Sequence, residues 1–271
     1  MDEMKDCDPK HWDAVAEDYA SSSEPITRPY GLDALAELGP RRGLRHLEAA
    51  AGTGGLALEA ARSGCDVTAT DSSPAMVARI AARAAGEGLA NVTATVMDGQ
   101  ALDFPEGSFD LVCSAFGVMF FPDHRAGLSE LKRVLAPGGK AAVVVWSHPD
   151  RMGHLSDWRE LFRDDFPEFG DLERPAAWRA MDTADSLAAE MQAAEFRGVE
   201  VQPLRHAWVV PSSAWRPEEG RCHPFFERML ARLGPDSPDR ARARLTAAFD
   251  ERYGDGPATF PAEAWLAIGH R

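Results

Sequence analysis

Leu47-Glu-Ala-Ala-Ala-Gly-Thr-Gly-Gly55 is the stretch that decides the fold of this chain. Apolar residues run up to Glu48, Gly52 and Gly54 let the backbone approach a ligand closely, and Leu56, Leu58 and Ala61 begin a helical pattern. The reading is a buried strand, a tight turn and a helix start. Open α/β sheets use that unit to seat a nucleotide-like ligand beyond the carboxyl end of a strand.

Two ligand classes suit such a turn. Gly52-x-Gly54-x-x-Ala57 satisfies the dinucleotide fingerprint, so a nicotinamide-dependent oxidoreductase is one reading. Glu48, four residues before Gly52, favours another. A carboxylate at the strand tip repels a pyrophosphate but suits a ligand carrying an ammonium group. S-adenosylmethionine has an α-amino group and a sulfonium, and no phosphate.

The residues that follow fit this second ligand in order. Val67-Thr-Ala-Thr70 reads as a second strand and ends at Asp71, followed by Ser72. Asp71 lies 23 residues after Glu48, close to the roughly 20-residue spacing of an acid that binds ribose hydroxyls. Asn91–Val96 is a third strand, and Met97-Asp-Gly-Gln100 falls where a loop passes an adenine, with Asp98 suited to accept from its amino group. Phe109–Cys113 reads as a fully buried fourth strand with Ser114-Ala-Phe-Gly117 at its carboxyl end. Leu135-Ala-Pro-Gly-Gly139 stops a helix, and Lys140–Trp146 is the fifth strand.

Taken together, Glu48–Gly54, Asp71, Asp98-Gly99, Gly107-Ser-Phe-Asp110 and Leu135–Lys140 resemble a class I S-adenosylmethionine-dependent methyltransferase, of the ubiquinone/menaquinone-biosynthesis-like small-molecule group. The motifs span about residues 12–147, a little over half the chain. The resemblance implies an α/β, Rossmann-like, seven-stranded and mostly parallel sheet with helices on both faces, an antiparallel last strand and a helical cap and lid. It also implies that Glu48, Ala50, Gly52 and Gly54 surround the methionine moiety and Asp71 the ribose. Met76, Asp98, Gly99 and Gln100 would flank the adenine, Ser114 and Phe116 would sit beside the sulfonium methyl, and Tyr19 would reach the methionine end. Members of the group often carry glycine where Ala50 stands. Met76, Val77, Ile80 and Ala84 also make an ordinary buried helix face.

Composition fits one soluble catalytic domain spanning 1–271. It would have an N-terminal helical cap over 1–44, a cofactor-binding core over 45–147 and a helical lid insertion over about 211–256. The polar start Met-Asp-Glu-Met-Lys-Asp and strand-sized apolar runs point to a cytoplasmic protein with no membrane partner. A net charge of −14 argues against a sequence-independent grip on nucleic acid, and Arg240-Ala-Arg-Ala-Arg244 reads as a solvated helix face. Cys7, Cys65, Cys113 and Cys222 show no paired spacing, so free thiols are expected. Ser114–Phe121 offers no carboxylates for a magnesium site, and no metal is expected.

Trp12, Val15, Ala16 and Tyr19 fall at helical spacing in the cap. Trp158, Leu161, Phe162 and Phe166, and Phe225, Phe226, Met229, Leu230 and Leu233, make two further apolar stripes. A cavity lined by such residues would take a hydrophobic or aromatic small molecule. The expected reaction is in-line attack of a substrate oxygen, nitrogen or carbon on the sulfonium methyl, releasing S-adenosylhomocysteine. Positioning supplies much of such catalysis, and a phenol or carbon acid also needs a base. His148 is the first candidate, because Trp146-Ser-His148 leaves the fifth strand on the reacting side. His223 ranks next; His124 begins the helix after the fourth strand and lies farther out, while His46 and His270 read as structural. A cyclase or scaffold that keeps the fold without transferring a methyl group is the alternative.

Overall fold

The computed structural model describes residues 9–152, 174–210 and 238–271. At its centre the glycine-rich turn joins β1 (Arg45–Ala49) to α3 (Gly55–Arg62). β1 runs parallel to β2 (Asp66–Asp71) on one side, with Glu48 opposite Ala69. On its other side it runs parallel to β4 (Phe109–Ala115), with Glu48 opposite Cys113. β3 (Val92–Val96) extends the sheet beyond β2, and β5 (Leu135–Trp146) extends it beyond β4. With β6 (Arg197–Val210) and β7 (Ala258–His270) the sheet has seven strands in the order β3-β2-β1-β4-β5-β7-β6, β7 being antiparallel to β5.

Chain direction across the sheet reverses between β1 and β4. The connections leaving their parallel carboxyl ends therefore diverge, and the crevice between those connections is where an open α/β sheet holds a ligand. The middle strands are covered on both faces, which is why they read as continuous apolar runs. Val112, Cys113 and Val143–Val145 are fully buried.

The strands expected from the sequence are all present, with one change of boundary. Proline and the glycine pair at 137–139 lie inside β5, which begins at Leu135 instead of Lys140. Phe109 pairs with Leu135 and Leu111 with Lys140, so the Pro-Gly-Gly segment is accommodated as an irregularity in the ladder. A Cβ on Gly139 would lie 2.7 Å from the Asp110 carbonyl oxygen, which restricts that position to glycine.

Helices α1 (Pro9–Ser22) and α2 (Glu24–Leu38) precede the sheet, as the cap pattern predicts. α4 (Pro74–Gly86) starts with Pro74 at its first position, and the Ser73 hydroxyl caps it by accepting from the Met76 amide at 3.1 Å. α5 (His124–Val134) is capped by Asp123, which accepts from the Ala126 amide at 3.0 Å. α6 (Ala176–Ala180) and α7 (Ala184–Ala193) lead into β6.

Two compact units divide the chain. One comprises 1–148, 174–205 and 263–271 and contains the glycine turn; the other comprises 149–173 and 206–262. In the second unit the described residues include α8 (Pro238–Tyr253). There the Tyr253 and Trp208 rings pack on Phe260 with centroids 5.1 and 6.3 Å away. The stripes at 158–166 and 225–233, and His223, lie outside the described residues. Cys65 and Cys113 are buried free thiols. No helix among the described residues is long and apolar enough to cross a membrane.

Candidate functional site

The turn is tied to β2 through Asp71. One carboxylate oxygen accepts from the Gly52 amide and the other from the Ser73 amide, both at 2.9 Å. The Ala51 amide donates to the Thr70 carbonyl at 2.9 Å, joining the same two strand tips. Asp71 is buried, and burial raises its pKa against the lowering effect of these amides. Each oxygen keeps accepting capacity for a hydroxyl. A ribose diol needs such an acceptor.

Glu48 projects from the end of β1 into a buried setting. Its Oε2 makes no hydrogen bond among the described residues, and the nearby Ala57 amide at the start of α3 favours the ionised form. Burial, then the carboxylates of Glu24 and Asp71, push its pKa up to about 8. At the end of β4 the Ser114 hydroxyl is likewise buried without a partner. Two orphaned polar atoms at neighbouring strand tips are costly in a folded protein unless a ligand completes them.

Close approach here is enforced by backbone geometry. Gly52 and Gly54 have φ of +55° and +85°. Ala50 and Phe116 occupy the same left-handed region, at +55° and +61°, without being glycine. Strain of that kind concentrates at functional sites. Gly117 makes Ala50 possible: a Cβ on Gly117 would overlap the Ala50 methyl and lie 2.7 Å from Ser114 Oγ.

The cap helices reach this turn at three points. Asp13 of α1 accepts from the Ser73 hydroxyl at 2.6 Å and the Ala75 amide at 3.0 Å, anchoring α1 to the start of α4. The Tyr19 ring lies over Gly52, where a Cβ would be 3.5 Å from Tyr19 Cε1. Burial pushes the Tyr19 hydroxyl up to about 12, with Glu24, Asp71 and Glu48 adding to the effect. Glu24 of α2 accepts from the Thr53 hydroxyl and forms a two-pronged ion pair with Arg83 of α4, at 2.6 and 3.0 Å.

An aromatic cluster flanks the β4 and β5 tips. Phe116 and Trp146 rings lie 4.1 Å apart, and Tyr30 meets both edge-on at 5.6 and 5.1 Å. The Trp178 indole N–H donates to the Trp146 carbonyl at 3.0 Å, fixing the end of β5. Beyond β3, Asp98 accepts from the Gln100 amide and side chain at 2.9 and 3.0 Å. Gln100 in turn accepts from the Asp123 amide at 2.7 Å. Any side chain on Gly99 would run into the Phe121 ring.

Glu48, Ala50, Gly52, Gly54, Asp71, Ser114 and Tyr19 thus gather around one turn, while Asp98, Gly99 and Gln100 form a bonded loop at the end of β3. Ser72 follows Asp71, and Met76 is buried in α4. His148 lies two residues beyond β5. His46 is fully buried, and burial pushes its pKa down to about 4, consistent with a neutral core residue. His124 faces Glu190 at 3.2 Å, and His270 ends β7. Sequence reasoning missed Glu24, Arg83 and Gly117. Their contacts join residues far apart in the chain, and no local periodicity announces them.

Residues 47–139 match the family model of a methyltransferase domain. An uncharacterized protein of Mycobacterium bovis is 45% identical over 163 residues, 59% of this chain and 58% of that protein. The chain therefore spans just over half the length of that relative. Demethylmenaquinone methyltransferase of Thermus thermophilus is 34% identical over 180 residues, 62% of this chain and 80% of that enzyme. In fold, the YcgJ protein of Bacillus subtilis superposes with a TM-score of 0.57 at 20% identity, covering 89% of this chain and 98% of that one.

Proposed function

The chain belongs to the class I S-adenosylmethionine-dependent methyltransferase family, and we propose that it moves the cofactor's methyl group to an oxygen, nitrogen or carbon nucleophile of a small hydrophobic or aromatic molecule. The observation that carries this reading is the pair of buried, unpartnered polar atoms, Glu48 Oε2 and Ser114 Oγ, on either side of a positive-φ turn. A carboxylate and a hydroxyl fit the ammonium and carboxylate of a methionine end. They do not fit a pyrophosphate, which sets the nicotinamide reading aside.

When bound, S-adenosylmethionine supplies a methyl group made electrophilic by its sulfonium. The chain's own residues would do the rest. Glu48 would hold the ammonium, with Ala50, Gly52 and Gly54 giving the backbone access to the methionine end. Asp71 would take the ribose hydroxyls beside Ser72. Asp98, Gly99, Gln100 and Met76 would border the adenine, and Tyr19 would close over Gly52 to exclude water. Ser114 and Phe116 would face the sulfonium. The Phe116–Trp146–Tyr30 cluster supplies an apolar wall, which supports an aromatic or hydrophobic acceptor such as a quinol-like ring. For an acceptor that must lose a proton, His148 is the proposed base.

Calorimetric titration with S-adenosylmethionine, S-adenosylhomocysteine and NAD tests the cofactor half of this reading. Binding of the sulfur nucleosides and not NAD is expected; NAD binding alone would overturn it. A screen of phenols, quinols and amines for S-adenosylhomocysteine formation tests transfer. Acceptor conversion with the cofactor left intact would replace transfer by the non-methylating cyclase reading.

A further inference from the structure

We propose that Glu24, outside the motif that carries the family resemblance, is a positioning residue that holds the backbone of residues 53–55 in the shape required by the methionine end of the cofactor. The proposal rests on the cofactor reading above. Glu24 opens α2, and its carboxylate reaches the turn at Gly55. Glu24 Oε2 takes the Thr53 hydroxyl and Arg83 Nη1, and Oε1 takes Arg83 Nη2. Arg83 Nη1 also donates to the Thr53 backbone carbonyl at 2.7 Å. A single carboxylate–guanidinium pair therefore grips Thr53 by both its side chain and its main chain.

Gly55 completes the clamp. A Cβ at Gly55 would lie 2.7 Å from Glu24 Cδ, so the carboxylate rests directly on the first residue of α3. This gives the fourth residue of Gly-Thr-Gly-Gly55 a reason that ligand contact alone does not supply. On the opposite side a Cβ at Gly54 would press on Ile80 at 3.0 Å. The segment is thus held between α2 and α4. The Glu24 side chain is 12% exposed and that of Arg83 33%. The pair is sheltered, two-pronged and shares a third partner, a geometry stronger than an ordinary surface ion pair.

Glu24 acts on the site through charge as well. The ionisable groups around Glu48 are Tyr19 of α1, Glu24 of α2, Asp71 of β2 and Cys113 of β4, with Arg83 of α4 engaged by Glu24. Among the carboxylates acting on Glu48, Glu24 has the larger effect. Neutralising it should ease ionisation of Glu48, an effect that a merely structural brace would not produce.

The test compares wild type with Glu24→Ala, Glu24→Gln and Arg83→Lys, each checked for folding by circular dichroism. Calorimetry reads binding of S-adenosylhomocysteine and of 5′-methylthioadenosine, which shares the nucleoside but lacks the amino-acid end. Glu24→Ala and Arg83→Lys are expected to weaken S-adenosylhomocysteine binding by about tenfold or more, with 5′-methylthioadenosine binding kept within about twofold. Glu24→Gln keeps an acceptor for Thr53, so it should lose less affinity and shift the pH dependence of binding to lower pH. Equal losses for both ligands, or no loss in any variant, would overturn the proposal and leave the cofactor reading standing. Wild type that binds neither nucleoside overturns both. If Glu24→Ala does not fold, the other two variants carry the same comparison.

Discussion

Binding of the cofactor should expel a proton from Glu48. In the ligand-free site burial and the neighbouring Glu24 and Asp71 carboxylates push Glu48 up to about 8, so at pH 7 about 0.9 of the molecules carry its proton. An ammonium group needs the carboxylate. The amine of a free amino-acid end, stabilised by its own carboxylate, is already protonated at pH 7, so net release is about 0.9 per ligand bound. Affinity should rise about tenfold from pH 6 to 7, level off once Glu48 is ionised and fall only where the ligand's more basic amine deprotonates. Titration calorimetry with S-adenosylhomocysteine in buffers of different ionisation enthalpy reads the proton count directly, and a protonated-carboxyl infrared band should vanish on binding. The ligand-free protein gives a second check. Glu48 is raised from 4.5, so the folded state holds a proton that the unfolded chain releases. Its contribution to stability is lost as pH rises from about 4.5 to 8, at up to about 1.4 kcal/mol per pH unit. Glu48→Gln should flatten that slope. A binding enthalpy independent of buffer, together with equal affinity at pH 6 and 7, would refute the assignment of Glu48 as the buried, proton-holding partner of the ammonium.

Asp71→Ala should weaken S-adenosylhomocysteine binding by about 1–3 kcal/mol, the value of a hydrogen bond to a charged group, and an unchanged dissociation constant removes Asp71 from the ribose site. Gly117→Ala should destabilise the protein by about 1–3 kcal/mol through overpacking against Ala50 and Ser114, read by denaturant unfolding. Combining it with Ala50→Gly should recover part of the loss, and an additive double variant would contradict the contact. With an acceptor that must be deprotonated, His148→Gln should lower turnover by about a hundredfold or more while leaving cofactor affinity alone; unchanged turnover excludes His148 as the base.

How far the sequence carried this reading depended on whether a feature was local. The β1 turn, the placing of Asp71 at the end of β2 and the first five strands rest on apolar runs and glycine spacing within short windows, and each appears in the fold. The Pro-Gly-Gly segment reads as a stop, yet β5 begins before it, because pairing of Phe109 with Leu135 extends the ladder across an irregularity. Long-range partners were silent. Glu24 and Arg83 are 59 residues apart, and only the folding of α2 and α4 onto the same turn makes them a pair. Gly117 carries no signal beyond a glycine after a strand until Ala50 is seen at φ +55° beside it. The alanine that departs from the family pattern and the glycine that admits it lie on different strand-end turns.

Charge, more than glycine spacing, separates the possible ligands of this turn. A helix N-terminus following a tight glycine turn presents amides that favour an anion, and dinucleotide-binding proteins use it for pyrophosphate. Here the same helix start is already answered from within the protein. Glu48 is buried near the Ala57 amide, and Glu24 rests on Gly55. With Asp71 bonded to Gly52 and Ser73, three acidic side chains surround a turn that would otherwise attract phosphate. Among the described residues only one of them, Glu24, has an arginine partner. A further negative charge would meet repulsion from Asp71 and keep Glu48 protonated, whereas a cation favours the ionised form of both. In the proposed site the backbone geometry would set how closely a ligand approaches, and the acids around it would favour a positive approaching end.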